Sequence, residues 1–187
     1  AGTYTCTVTD ANGCSAGTNV TITAPAGALT ASLTAQTDVD CFGNATGSAT
    51  VSASMGTAPY SYSWNTSPAQ NNAAATGLAA GNYTCTVTDA NACTTTVNTT
   101  IGQPAAALNA SIGGTSPATC GINNGSASTI VSGGTAPYGY AWSSLPVQTT
   151  ASLTGAGAGT YAVTVSDAQG CSTTASATIT SPSGLAT

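Results

Sequence analysis

The 187-residue chain has no Lys, Arg or His and a net charge of −5, so charged residues make up 3% of it against about 25% in an ordinary soluble domain. Missing cations argue against DNA, RNA and acidic membranes as partners, because those interfaces rest on Lys and Arg. All five acidic residues are Asp, and with no imidazole or amine to activate a Ser or Cys nucleophile, an enzyme is not expected and no cofactor is implied.

The hydrophobic fraction of 41% leans on Ala, since Leu, Ile, Val and Phe together supply 24 residues. Each folding unit therefore has a thin core and needs a second source of stability. No run of 18 apolar residues occurs, so no transmembrane helix and no membrane insertion are expected. The segment has neither an initiator Met nor a basic stretch followed by an apolar one, so it shows no signal peptide and reads as a piece of something longer.

Self-similarity organises the chain. AGTYTCTVTDANGC at 1–14 returns as AGNYTCTVTDANAC at 80–93 and as AGTYAVTVSDAQGC at 158–171, and GSATVSASMGTAPYSYSW at 47–64 returns as GSASTIVSGGTAPYGYAW at 125–142. Tyr4, Tyr83 and Tyr161 fix the period at 79 and then 78 residues, and Trp64 and Trp142 agree. The expected organisation is a C-terminal hairpin of a truncated repeat at 1–24, complete repeats at 25–103 and 104–181, and the start of another at 182–187.

Within a repeat, larger residues alternate with Ser and Thr, the pattern of half-buried strands. Strands are predicted near 28–33, 47–55, 59–65, 72–77, 81–88 and 93–101, with equivalents about 78 residues on. Asp10, Asp89 and Asp167 fall between the last two strands of their units and read as hairpin-turn residues. Six or seven short strands in about 78 residues make an antiparallel β-sandwich of immunoglobulin-like size. The short connections containing Pro25 and Pro104 imply a stiff rod of tandem sandwiches.

The run GSATVSASMGTAPYSYSW, followed by TGLAAGNYTCTVTDANAC and TTIGQPAAAL, resembles the SprB-type repeat of cell-surface adhesins from gliding Bacteroidota. The resemblance implies an Ig-like or PKD-like sandwich, export to the cell surface by the type IX pathway, a role in attachment or gliding, and no catalytic residue. Ala92 and Gln169 depart from the DANGC turn, and no C-terminal sorting domain is present in this sequence.

The third unit holds only Cys120 and Cys171, so pairing within units gives Cys120–Cys171 and Cys41–Cys93, with Cys14 left for an upstream Cys. Cys6 and Cys85 occupy the place of Val163 and read as small apolar core residues with free thiols. The competing pairing joins Cys6 to Cys14 and Cys85 to Cys93. Disulfides of either kind place the chain outside the cytosol, secreted or at the cell surface.

Asp38 and Asp40, with Asn44, are weak Ca²⁺ candidates whose counterparts, Pro117 and Thr119, do not repeat the ligand set. Gly155, Gly157 and Gly159 lead into a strand and so read as a turn, not a nucleotide fingerprint. Trp64, Tyr83, Trp142 and Tyr161 are expected in the core, and the rows Tyr60, Tyr62, Trp64 and Tyr138, Tyr140, Trp142 read as core packing ahead of a sugar-stacking platform. Glycosylation patterns occur at Asn19, Asn44, Asn65, Asn82, Asn98, Asn109 and Asn124. The leading expectation is a stalk or filament segment of a secreted adhesin, with neighbouring repeats, a homopolymer in a fibre and surface glycans as partner classes. The alternative is a glycan- or protein-binding module using the variable loops 65–72 and 143–150.

Overall fold

The computed structural model describes residues 1–25 and 27–182. The expected start of a further repeat at 182–187 lies, beyond Pro182, outside the described residues. Every regular element among them is a β-strand. The first two, β1 (Gly2–Thr9) and β2 (Ser15–Ile22), form an isolated antiparallel hairpin in register Gly2 to Ile22 through Thr9 to Ser15. All of its residues are exposed, including Tyr4, Val8, Val20 and Ile22.

Strands β3 (Thr30–Thr37), β4 (Gly47–Ser54), β5 (Ser61–Trp64), β6 (Ala74–Leu78), β7 (Gly81–Thr88) and β8 (Thr94–Ile101) follow. They form two three-stranded sheets, β3-β4-β6 and β5-β7-β8. The pattern recurs with β9 (Asn109–Ser116), β10 (Gly125–Ser132), β11 (Gly139–Trp142), β12 (Ser152–Ala156), β13 (Gly159–Ser166) and β14 (Ser172–Ile179), ordered β9-β10-β12 and β11-β13-β14. The alternation predicted five of each unit's six strands to within a few residues. The first begins at Thr30 and runs to Thr37, longer than the predicted 28–33, because its cross-strand hydroxyl bonds continue past Leu33. Thr34 donates to the Thr50 carbonyl, and Thr37 and Ser48 share a bond of 2.7 Å.

By contact, the chain divides into two compact units, one made of 1–35, 49–75 and 83–99, the other of 36–48, 76–82 and the residues from 100 on. The second holds the whole later sandwich, whose core is Ala118, Ala127, Trp142, Leu153, Ala156, Val163, Val165, Ala177 and Ile179. Period-two alternation puts these on the inner faces: in β13 Val163 and Val165 are buried while Ala162 and Thr164 are exposed. Trp142 stands opposite Val163 and Tyr140 opposite Val165.

The earlier repeat buries the matching positions with its own volumes. Ala75 and Leu78 stand where the later repeat has Leu153 and Ala156, so the large and small residues trade places. Such volume-conserving exchange is the kind a packed core tolerates best. One exchange is not conservative. Val51 is replaced by Thr129, whose hydroxyl is buried with no hydrogen-bond partner. An unsatisfied buried hydroxyl costs about 1–3 kcal/mol. Thr129→Val is therefore expected to raise the unfolding free energy by about 1 kcal/mol or more, measured by urea denaturation; a destabilised variant would mean that the hydroxyl is satisfied in solution.

Candidate functional site

The conserved spacing of the GTAPY and DANGC strings within this chain has a physical cause: the two segments clasp each other. Asp89 accepts bonds at one carboxylate oxygen from the Asn91 and Cys93 amides, both 2.9 Å, and at the other from the Thr57 amide at 3.0 Å. Asp167 repeats this with Gln169, Cys171 and Thr135. The carboxylate reaches the Thr amide only because Gly precedes it. A Cβ on Gly56 or Gly134 would lie 2.7 Å from that oxygen, and both glycines sit at φ near +60°. Asp10 makes the same two turn bonds, to the Asn12 and Cys14 amides. At the fourth place of the turn, Gly13 and Gly170 adopt φ of 84° and 82°, and Ala92 is held in the same left-handed region at 61°.

Partial desolvation pushes the Asp89 and Asp167 carboxyls up, but the backbone amides aimed at each outweigh it, and both end below the ordinary carboxylate value. A folded pKa below the unfolded one gives stability that is present above the unfolded value of about 3.9 and is lost as pH falls through the folded value. Only five side chains carry a carboxyl, so the linkage is open to direct test. The melting temperature is expected to drop as pH is lowered below about 4, and to drop less steeply in Asp167→Asn. Parallel curves for the two proteins would refute the linkage.

The clasped turn presents a cysteine, and in the later repeat that cysteine is bonded. Cys171 joins Cys41, with 5.8 Å between Cα atoms and 130 positions between them in sequence. Cys6, Cys14, Cys85, Cys93 and Cys120 are free. The expected pairs Cys41–Cys93 and Cys120–Cys171 are therefore corrected, and so is the competing hairpin pairing of Cys6 with Cys14 and Cys85 with Cys93. Strand length gives the reason. The Val39 amide donates to the Gly102 carbonyl at 2.9 Å, which puts the Cys41 loop beside the end of β8, whereas Cys93 precedes its start. Nine steps of extended chain at about 3.3 Å separate Cys93 from Gly102, far beyond the Cα distance a disulfide spans. The later repeat obeys the same geometry: Ala118 bonds to Thr180 at the end of β14, and Cys171 precedes its start. Cys14 has no partner among the described residues and is exposed.

An open cavity of about 480 Å³ is lined by Asp38, Asp40, Gln103, Pro104, Thr135 and Gln169 among others. Its floor is tied down by side chains. Asp38 accepts from the Gly102 amide at 2.9 Å and from the Gln36 amide group at 3.2 Å, and Gln103 accepts from the Gly43 amide at 2.9 Å. Gly102 permits the approach, since a Cβ there would meet Asp38 at 3.1 Å. Asp38 thus has a structural task, clamping the residue that follows β8. Asp38 and Asp40 share the cavity, but no group of three His, Cys, Asp or Glu side chains placed to hold a metal occurs among the described residues.

Two stretches, 33–69 and 113–146, match the family model of the SprB repeat. Over both stretches the chain is similar to the SprB repeat. The two matches begin at equivalent places in the two sandwiches, within β3 and β9, and run past Trp64 and Trp142 respectively. No curated protein matches the chain. Among solved structures, it is similar to the tetra-tandem repeat in the extending region of a large adhesion protein, at 19% identity and a TM-score of 0.27. That similarity covers 95% of this chain and 56% of the other.

Within the two sandwiches, the aromatic rows are core and not platform. Trp64 and Trp142 are buried, and each indole donates at 3.0 Å to a loop carbonyl, that of Asn72 or Thr150. Tyr60 and Tyr138 donate to the carbonyls of Met55 and Gly133, tying the APY segment to the turn before it. Tyr83 and Tyr161 are half-buried, the latter packed on the core with its hydroxyl 3.2 Å from the Gly157 carbonyl. Cys85 is buried opposite Trp64, and burial, only partly countered by a backbone hydrogen bond at Ser63, pushes its thiol pKa up. It is an inert core residue, while Cys6, at the same place in the exposed hairpin, stands open to solvent. Asn19, Asn82 and Asn98 use their carbonyls to accept cross-strand Thr hydroxyls.

The inter-repeat disulfide was not found by sequence reasoning, which confined the search to single units. The pairs Cys41 and Cys93, and Cys120 and Cys171, each lie at opposite ends of one eight-residue strand, a placement set by hydrogen bonds between segments distant in sequence.

Proposed function

We propose that this chain is a structural repeat segment of a secreted cell-surface adhesin, a stalk or filament stretch that carries load outside the cell. The observation behind this reading is the Cys41–Cys171 bond, which links two successive SprB repeats covalently. Such a bond persists in oxidising surroundings and is lost in reducing cytosol. The clasped turns and hydroxyl-rich strands contribute rigidity and solubility. Attachment or gliding is then the task of the larger assembly, and neighbouring repeats are the segment's immediate partners.

Mechanics test the reading. When the chain is pulled from its ends, force passes from Cys41 directly to Cys171 and bypasses the 129 residues between them. At roughly 3.4 Å per extended residue, the bond hides about 440 Å of length. Single-molecule stretching is expected to release that length only after a reductant is added. Equal extension with and without reductant would reject the load-carrying role, and labelling of cells by an antibody to this segment only after permeabilisation would reject the surface location.

One observation favours the binding alternative. Leu145 and Val147, in the variable loop of the later repeat, are 97% and 58% exposed. A saturable, sugar-specific signal for the oxidised segment on a glycan array would transfer the proposal to that loop.

A further inference from the structure

Apart from its half of the Cys41–Cys171 staple, the later sandwich differs from the earlier one on the outer face of its β9-β10-β12 sheet. An open trough of about 400 Å³ lies there, lined by Gly114, Ser116, Ser126, Ser128, Ser152 and Thr154 among others. We infer that this trough is a binding site for an uncharged saccharide, distinct from the 143–150 loop and independent of the surface role.

Sequence changes between the repeats open it. Strand β9 carries Gly113 and Gly114 where β3 has Thr34 and Ala35. Ser126 pairs with Ser116 and Ser128 with Gly114, but Thr129 pairs with Ile112, so Gly113 is the extra residue of a β-bulge. A Cβ on Gly113 would lie 2.8 Å from the Ile130 side chain, which fills the space a residue there would need. At Gly114, opposite Ser128, the row across the sheet lacks a side chain. On the other flank β12 places Ser152 opposite Ser128, where β6 has Ala74.

The hydroxyls differ in their partners as well. In the earlier repeat Thr37 and Ser48 share a bond of 2.7 Å and Thr34 donates to the Thr50 carbonyl. Ser116 and Ser126 stand at the same register in the later repeat, yet among the described residues neither their side chains nor those of Ser128 and Ser152 have a hydrogen-bond partner. Four uncommitted hydroxyls therefore step across three strands, about 4.7–4.9 Å apart between strands and twice the per-residue rise along β10. Each can both donate and accept, and so can each hydroxyl of a sugar. Ile130, on the same face of β10 as Ser126 and Ser128 and 58% exposed, offers an apolar surface to a sugar's C–H face. No charged residue lines the trough, and the chain has no Lys, Arg or His, so it holds nothing for a phosphate or carboxylate and no carboxylate for a metal ion. Its volume is in the range of small-molecule sites. Each new bond replaces one to water at small net gain, so a Kd on the order of 1 mM is expected.

The test titrates the full oxidised chain with cellohexaose, maltohexaose and an oligogalacturonate of the same length, read by amide chemical shifts in NMR. Saturable shifts centred on Ser116, Ser126, Ser128, Ser152 and Thr154 are expected with at least one neutral oligomer. The acidic oligomer is expected to bind more weakly, because the chain carries a net charge of −5 and no cation. Gly114→Val fills the trough from a position where a Cβ meets Ser128 at an ordinary 3.9 Å, and it is expected to weaken binding about tenfold or more without lowering the melting temperature. Ser128→Ala with Ser152→Ala removes two hydroxyls from the solvent face and is expected to weaken binding in the same direction. Absence of shifts with both neutral oligomers up to about 50 mM, binding of the acidic oligomer as tight as theirs, or unchanged affinity in folded Gly114→Val would each overturn the inference. Shifts confined to 143–150 would overturn it too, while leaving the loop as the sugar-binding element. Because the readout is purified protein, each of these failures leaves the surface role standing.

Discussion

Replacing Cys41 or Cys171 by Ser is expected to lower the unfolding free energy by about 5 kcal/mol, the chain-entropy value for a closed loop of this length. The loop is long because the bond spans 130 positions, and the denatured ensemble loses correspondingly more freedom. Against a typical total of 5–15 kcal/mol, that loss leaves little. The double variant should cost no more than either single one, since both remove the same bond, and this non-additivity marks a coupled pair. Cys93→Ser and Cys120→Ser provide the contrast. Pairing within units would make each of them as damaging, whereas exposed free thiols predict changes within about 0.5 kcal/mol. Chemical denaturation of the four single variants and the double one therefore decides between the two pairing schemes. Equal losses at Cys93 and Cys120 would restore the pairing within units.

The sandwich was legible because its information is local and repeated. Alternation at Ala49 and Val51 or Val163 and Val165 fixes which face turns inward, and Asp followed by Asn, Gly or Gln before Cys fixes the hairpin turn, with no knowledge of what lies across the sheet. The clasp was half legible. Asp89 and Asp167 were recognisable as turn residues, but their second carboxylate oxygen bonds Thr57 and Thr135, 32 residues away, and nothing in the turn sequence points there. The glycine before each Thr was the available sign. The staple was illegible to a reading that treated each repeat as closed, because the same spacing that reveals the repeats also makes pairing within them look natural. Asp38 shows a further limit: its carboxylate, a candidate cation ligand by composition, is committed to a backbone amide.

Trp142→Ala is the second substitution with a large expected effect. The side chain is among the largest fully buried ones, 1% exposed, and removing a buried Trp costs about 3–5 kcal/mol through lost burial and the cavity left behind. A thin core has little material with which to refill that space. The loss here has a polar part too, because the indole donates to Thr150 and leaves that carbonyl unpaired when it goes. Trp142→Phe separates the two contributions: it keeps most of the volume and forfeits the bond, for about 1–2 kcal/mol on the scale of a single buried hydrogen bond. The loop 143–150 depends on the same residue, since the Trp142 amide bonds the Gln148 carbonyl and the indole holds the loop's last residue. Hydrogen exchange at 143–150 is therefore expected to accelerate in the Phe variant while β13 and β14 stay protected. If the Ala variant unfolds within about 1 kcal/mol of the parent, the core of the later repeat does not rest on its single tryptophan, and the equivalence of Trp142 with Trp64 is a matter of descent more than of packing.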